Sequence, residues 1–207
     1  CESSVSVETV GDDCGSPNTL LTNGGFEDGT TNNWTSWTSG GATSGIISDA
    51  ASGSSAYEIS GGGGDIYQCA SASPGQEFTL TTVAKRSGAS GGNQDIILEF
   101  KGATGIVLAA QSTTIGSNDY QTYYLTGVAP ANATEVCAKV SQSSSTATLA
   151  IDDFCLLQCS DFDPGEIQSD QTYCSAATPA PILSVSPASG CGGTLTYQWQ
   201  FKTDLSS

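Results

Sequence analysis

Along this chain apolar residues keep falling at every second position, and each run then breaks at glycine, serine or asparagine. That is the pattern of a pleated strand with one buried face. In "QEFTLTTVA" Phe78 and Leu80 share a face; in "DIILEFK" Ile96, Leu98 and Phe100 do; in "TEVCAKV" Val136, Ala138 and Val140 do. These residues are the expected core. Further strands are expected at "TLLT", "WTSWT", "SGIIS", "AYEIS", "DIYQC", "GIVLAA", "QTYYLTG" and "ATLAIDDFCLL". Together they make about ten to eleven strands between residues 18 and 158, the amount one antiparallel sandwich or jelly roll requires. Gly-rich stretches such as "SGGGGD" and "SGASGGNQ" read as the connections. Charged residues are only 13% of the chain and Met is absent, so helix formers are scarce. The fold class is therefore all-β, an antiparallel jelly-roll β-sandwich.

After Cys159 the texture changes. "SDFDPGEIQSD" carries four acids and a Pro-Gly turn and reads as a linker, and "PILSVSPASGCGGTLTYQWQFKTD" reads as two or three strands of a fresh β unit. The expected organisation is an N-terminal segment over 1–15, the sandwich over 16–159, a linker over 160–170 and the start of a second β domain over 171–207. Some 40 residues hardly close a sandwich. The chain is thus expected to be a piece of a longer multidomain protein or the start of a repeat array.

The net charge is −16, so a phosphate backbone is repelled and nucleic acid is an unfavourable partner. The same acids suit a salty exterior and the capture of divalent cations. The eight Cys stand at positions 1, 14, 69, 137, 155, 159, 174 and 191, without His and without a repeated C-x-x-C pair, which points to disulfides in an oxidising compartment rather than to zinc. The expected location is secreted or cell-surface. No apolar run reaches the ~20 residues of a membrane-spanning helix. Cys1 fits either the acylated Cys of a mature lipoprotein or an ordinary cysteine of a longer chain.

Two acid pairs stand out, Glu27-Asp28 after the "NGGF" turn and Asp152-Asp153 in "LAIDDFCL". Asp152 shares parity with Phe154 and Leu156, so an unbulged strand aims it at the buried side. A buried carboxylate needs a compensating partner. With only Lys85, Arg86, Lys101 and Lys139 as cations in the domain, that partner is reasonably a metal ion, the alternative being solvated turn and edge acids.

The segments "NTLLTNGGFEDGTTNNWTSW", "ASGSSAYEIS", "QCASASPGQEFTLTTVAKRSG" and "ATLAIDDFCL" resemble, in order and spacing over about residues 16 to 158, the galactose-binding-like jelly-roll carbohydrate-binding modules related to families 4, 9 and 22. This resemblance implies a structural Ca2+ held by Glu27 and Asp152, with carbonyls near Ser52 to Ser54 completing the shell. It also implies a glycan site of aromatic faces and amides. The candidates are Trp37, Tyr67, Tyr120 and Tyr124, with Gln94 or Asn93 as helpers, while Trp34 matches a core position. The tail "IQSDQTYCSAATPAPILSVSPASGCGGTLTYQWQFKTD" resembles the immunoglobulin-like repeats of very large secreted adhesins of Bacteroidetes, departing from them at Cys191.

If the first and last strands run antiparallel, Cys14 lies near Cys159. Cys69 and Cys137 both sit on the non-core parity and can pair across neighbouring strands, and Cys174 with Cys191 closes a loop in the second unit. Without His a Ser-His-Asp or Cys-His apparatus is excluded. The expected function is a non-catalytic carbohydrate-binding or adhesion module of a large secreted or cell-surface bacterial protein. Its partner would be a polysaccharide or surface glycan. The alternative is a structural stalk whose partners are proteins or other copies of itself.

Overall fold

A computed structural model describes residues 19–88, 92–159, 166–167 and 184–186, the side chains of 144, 145, 166, 167 and 184 excepted. The chain divides into two units, Cys1–Gln158 and Cys159–Ser207. The first holds the strands β1 (Thr35–Ser39), β2 (Thr43–Ile47), β3 (Ala56–Ser71), β4 (Glu77–Ser87), β5 (Gln94–Gly102), β6 (Val107–Thr114), β7 (Gln121–Val128) and β8 (Ala133–Cys159). The pairs β1–β3, β2–β3, β3–β8, β4–β7, β5–β6 and β5–β8 all run antiparallel. Among the described residues no helix is long and apolar enough to cross a membrane.

Two strands organise the rest. β3 pairs with β8 along nearly all of its own length, from Tyr57 opposite Ile151 to Ser71 opposite Glu135. The first part of β3 takes β2 on its free side and the second part takes β1. The first part of β8 is flanked by β3 and β5, and β5 carries β6. Its second part is left for β4, which carries β7. The result is two antiparallel layers, β2-β3-β8-β4-β7 and β1-β3-β8-β5-β6, sharing two bent strands. This is the expected jelly-roll sandwich, built from fewer and longer strands.

The difference lies at "SGGGGD". That run is the bend inside β3, where the register with β8 shifts between Ser60 and Gly64. Gly62 has φ +80°, and a Cβ there would stand 2.5 Å from the Ser39 carbonyl oxygen, so the β1–β2 turn closes against bare backbone. "TEVCAKV" and "ATLAIDDFCLL" likewise fuse into β8. "TLLT" forms no strand, although the Leu20 amide donates to the Leu156 carbonyl and Leu21 is buried.

Phe78, Leu80, Ile96, Leu98, Phe100, Val136, Ala138 and Val140 are all buried between the layers, as the alternation requires. Full burial of each large one contributes roughly 1.5–3 kcal/mol. Trp34 joins them. Of the predicted disulfides, Cys69–Cys137 is formed, joining β3 to β8 where the two residues are direct partners. Cys14, Cys174 and Cys191, and with them the other two pairings, lie outside the described residues.

In the second unit β9 (Glu166–Ile167) pairs antiparallel with β10 (Ser184–Ser186). Strand at Glu166–Ile167 falls within the span read as a linker; the rest of that span and most of 171–207 lie outside the described residues.

Candidate functional site

The "NGGFEDG" turn is shaped by its backbone. Asn23 and Phe26 adopt left-handed φ of 54° and 56°, and Asp153, on the strand it meets, has φ 50°. The Phe154 amide donates to the Gly24 carbonyl at 3.0 Å, docking the turn on β8. Phe26 then drops into the core against Trp34, Tyr57 and Phe154. With Phe26 inside, Glu27 swings outward to the 51–55 turn.

There its carboxylate accepts the Ser54 amide at 2.9 Å, the Ser55 amide at 3.0 Å and the Ser54 hydroxyl at 2.9 Å. These donors, led by the Ser54 amide, hold its pKa below the ordinary carboxylate value. A Cβ on Gly53 would lie 2.4 Å from the Glu27 carboxyl carbon, so glycine is what lets the turn close over it.

Asp152 meets the same turn from beneath. It is wholly buried, as its parity predicts, and its Oδ2 accepts the Ala51 amide at 2.9 Å and the Ser52 amide at 3.2 Å. Burial pushes its pKa up to about 6 against the pull of those amides. Ser52 Oγ donates to Asp153 Oδ1 at 2.8 Å. Glu27 and Asp152 are therefore brought together on one turn, from positions 125 residues apart in sequence. The resemblance put carbonyls of Ser52 to Ser54 in this arrangement; the groups facing the acids are their amides and hydroxyls, because a carboxylate attracts donors. Asp28 behaves differently. It accepts the Thr30 amide, the Thr30 hydroxyl and the Asn23 side chain, folding its own loop as a turn acid does.

The aromatic candidates split. On β1 Trp37 lies opposite Asp65 of β3, and Tyr67 lies two residues further on, opposite Lys139 of β8. Ile66 between them is buried, so both aromatics stand on the outer face of the β1-β3-β8-β5-β6 layer. Trp37 is 51% exposed. The floor around them is charged and largely buried: Lys139 pairs with Asp65 at 3.0 Å and with Glu99 at 3.5 Å, and Lys101 pairs with Glu99 at 3.5 Å.

Tyr124 stands on β7 opposite Thr81, on the other layer. The Tyr120 hydroxyl donates to the Asp49 carbonyl, and the Lys85 ammonium lies 4.3 Å from its ring centre. Burial, then Asp49 and the nearby Asp152, Glu58 and Asp153, push the Tyr120 pKa up, which sets that ring beside the acid turn rather than beside Trp37. Gln94 is fully buried on the core parity of Ile96 and donates to Gly92, so it has no surface to offer a ligand; Asn93 is exposed.

Asp65, Glu99, Lys101 and Lys139 were missed by sequence reasoning. A signal for them existed. Once Cys69 is set opposite Cys137, counting back in twos puts Tyr67 opposite Lys139 and Asp65 opposite Ser141, and a pleated sheet then lines the charges up. Cys69, Glu135 and Cys137 also converge within 4.8 Å, but both sulfurs are spent in the disulfide, so no thiolate is left for a metal. Glu27, Asp152 and Asp153 are not drawn together as closely.

Residues 18–145 match a family model described as "Carbohydrate binding domain". Among solved structures, bacteriophage CBA120 tailspike protein 4 is 19% identical with a TM-score of 0.60, over 68% of this chain and 21% of that chain. A family 16 carbohydrate-binding module is 19% identical with a TM-score of 0.55, over 67% of this chain and 99% of that one. A CBM22 xylan-binding domain from Paenibacillus barcinonensis is 14% identical with a TM-score of 0.53, over 68% of this chain and 94% of that one. At these identities the likeness is one of fold. No curated protein sequence matches the chain.

Proposed function

The chain belongs to this carbohydrate-binding domain family, and on that premise we propose that it is a non-catalytic module gripping a glycan on the outer face of the β1-β3-β8-β5-β6 layer. The observation that carries the reading is the pairing of Trp37 and Tyr67 on one face, flanking a floor of polar side chains. Sugar C–H surfaces pack on aromatic rings, while hydroxyls seek donors and acceptors at fixed positions. Asp65, Glu99, Lys101 and Lys139 offer both. Two cations and two anions balance at the centre of that floor, while Asp95 and Glu135 on the same face add negative charge at its margins, which disfavours an acidic polysaccharide and suits a neutral one.

Native gel retardation across neutral and uronate-containing polysaccharides tests this. Retention by a neutral polymer is expected, with Trp37→Ala and Tyr67→Ala each weakening it roughly tenfold, about 1.4 kcal/mol. Retention unaffected by either substitution, or no retention at all, overturns the glycan site; the second outcome favours a stalk role.

The Cys69–Cys137 disulfide supports a secreted or cell-surface setting. Weak single-site binding multiplied over copies or neighbouring domains would give an adhesin its avidity.

We also propose that a structural Ca2+ is held at the acid turn. Gly25 provides the fit: a Cβ there would lie 3.4 Å from Asp153 Oδ1, 3.7 Å from Glu27 Cγ and 3.8 Å from Asp152 Oδ1, so its absence leaves space lined by two carboxylate oxygens and the stem of Glu27. Among the described residues no Lys or Arg pairs with Glu27 or Asp152. Glu27 and Asp152 would be side-chain ligands, with Ser52 and Ser54 closing the turn over them. A bound calcium supplies positive charge to buried carboxylates and ties distant segments together.

A further inference from the structure

Trp37 and Tyr67 are the two ends of one continuous chain of polar contacts. The Trp37 indole N–H donates to Asp65 Oδ2 at 3.1 Å, and the same oxygen takes the Lys139 ammonium at 3.0 Å. Lys139 reaches Glu99 Oε1 at 3.5 Å, and the other oxygen of Glu99 lies 3.5 Å from Lys101. Lys101 in turn stands 4.8 Å from the centre of the Tyr67 ring, a cation–π distance. The circuit crosses three neighbouring strands, with Asp65 on β3, Lys139 on β8, and Glu99 and Lys101 on β5.

Its members are unusually covered for charges on the outside of a sheet, their side chains being 11% to 20% exposed. For Lys139, burial pushes the pKa down but Asp65 and Glu99 push it further up, so the ammonium stays charged. Partly exposed ion pairs add little to stability, typically about 0–1 kcal/mol, so stability alone is a weak reason for three of them in a chain so poor in cations. Their geometry has a better use. An indole that is half exposed at the edge of a layer is free to rotate unless its one polar atom is anchored, and here the anchor, Asp65, is itself held by Lys139, which Glu99 holds in turn.

We infer that Asp65, Lys139, Glu99 and Lys101 are positioning residues that fix the orientation of the Trp37 and Tyr67 rings before any ligand arrives. This rests on the glycan reading for its purpose, not for its geometry. A ring already immobilised does not lose freedom on binding, and the affinity gained is that lost freedom avoided. Asp65 is the pivot because one of its oxygens serves both Trp37 and Lys139.

The test uses the full chain and two readouts. The indole Nε1–H resonance of Trp37, assigned with Trp37→Phe, reports ring order by heteronuclear NOE without any glycan. Titration with a polysaccharide retained by the wild type reports affinity. In Asp65→Ala the Trp37 indole is expected to become mobile and affinity to fall roughly three- to tenfold, the range set by re-immobilising one side chain. Asp65→Asn keeps an acceptor oxygen and is expected to keep most of the ring order and affinity. Lys139→Met is expected to loosen the indole through Asp65. An indole as ordered in Asp65→Ala as in the wild type overturns the inference, and so does an Asn variant as mobile as the Ala variant. Should Asp65→Ala fail to fold, Asp65→Asn and Lys139→Met decide by the same signal. If the wild type binds no glycan, the glycan reading fails by itself, while the indole measurement still decides whether the circuit orders the rings.

Discussion

Gly24→Ala is expected to lower the stability of the first unit by about 3 kcal/mol or more, the upper end for a single overpacked site. A Cβ at Gly24 would lie 2.1 Å from the Phe154 carbonyl oxygen and 3.1 Å from its carbon, both backbone atoms of a paired strand that cannot swing aside as a side chain would. The turn must lift off β8. Lifting breaks the bond from the Phe154 amide to the Gly24 carbonyl and draws Phe26 away from Trp34, Tyr57 and Phe154. Glu27 follows, losing the amides of Ser54 and Ser55. Gly45→Ala in β2 is the control: a Cβ there meets nothing within 4 Å, so a change within about 0.5 kcal/mol is expected. Urea melts followed by circular dichroism compare the two. Equal midpoints for Gly24→Ala and wild type would mean that the turn is not docked through this contact.

The core and the acid turn were legible in the sequence to different depths. Alternation alone picked out Phe78, Leu80, Ile96, Leu98, Phe100, Val136, Ala138 and Val140, because a pleated strand leaves an apolar residue no choice of side. The same parity foretold the burial of Asp152 and the pairing of Cys69 with Cys137. The length of β3 and β8 was not legible. A glycine run that ends a strand and one that bends it look alike locally, and only pairing with a second long strand distinguishes them.

The grouping of the aromatics was not legible for a related reason. Trp37, Tyr67, Tyr120 and Tyr124 are all flanked by strand-like sequence, yet which layer carries each one depends on partners far away in the chain. Asp65, Glu99, Lys101 and Lys139 sit at the polar positions of their strands, where charge is unremarked until the register brings four of them side by side.

Removing calcium is expected to lower the melting temperature at about pH 7.5 by roughly 5–10 °C. An ion present at about a hundred times its dissociation constant adds about 2.7 kcal/mol, and each kcal/mol moves the midpoint of a domain this size by roughly 2–4 °C. The pH dependence follows from Asp152. Its folded pKa is raised to about 6, so in ion-free protein the native state holds a proton that the unfolded chain has already released. The stability associated with that proton is present below the ordinary carboxylate value and is lost as pH rises through about 6. Calcium requires the ionised form and offsets the penalty only above that point. The gap between calcium-loaded and chelated melts should therefore be small at about pH 5 and full at about pH 7.5. Asp152→Asn removes the charge and should erase both the gap and its pH dependence. Scanning calorimetry on protein verified as ion-free makes the measurement. An unchanged melt at the higher pH would leave the amides of Ala51, Ser52, Ser54 and Ser55 as what holds Glu27 and Asp152 to the turn.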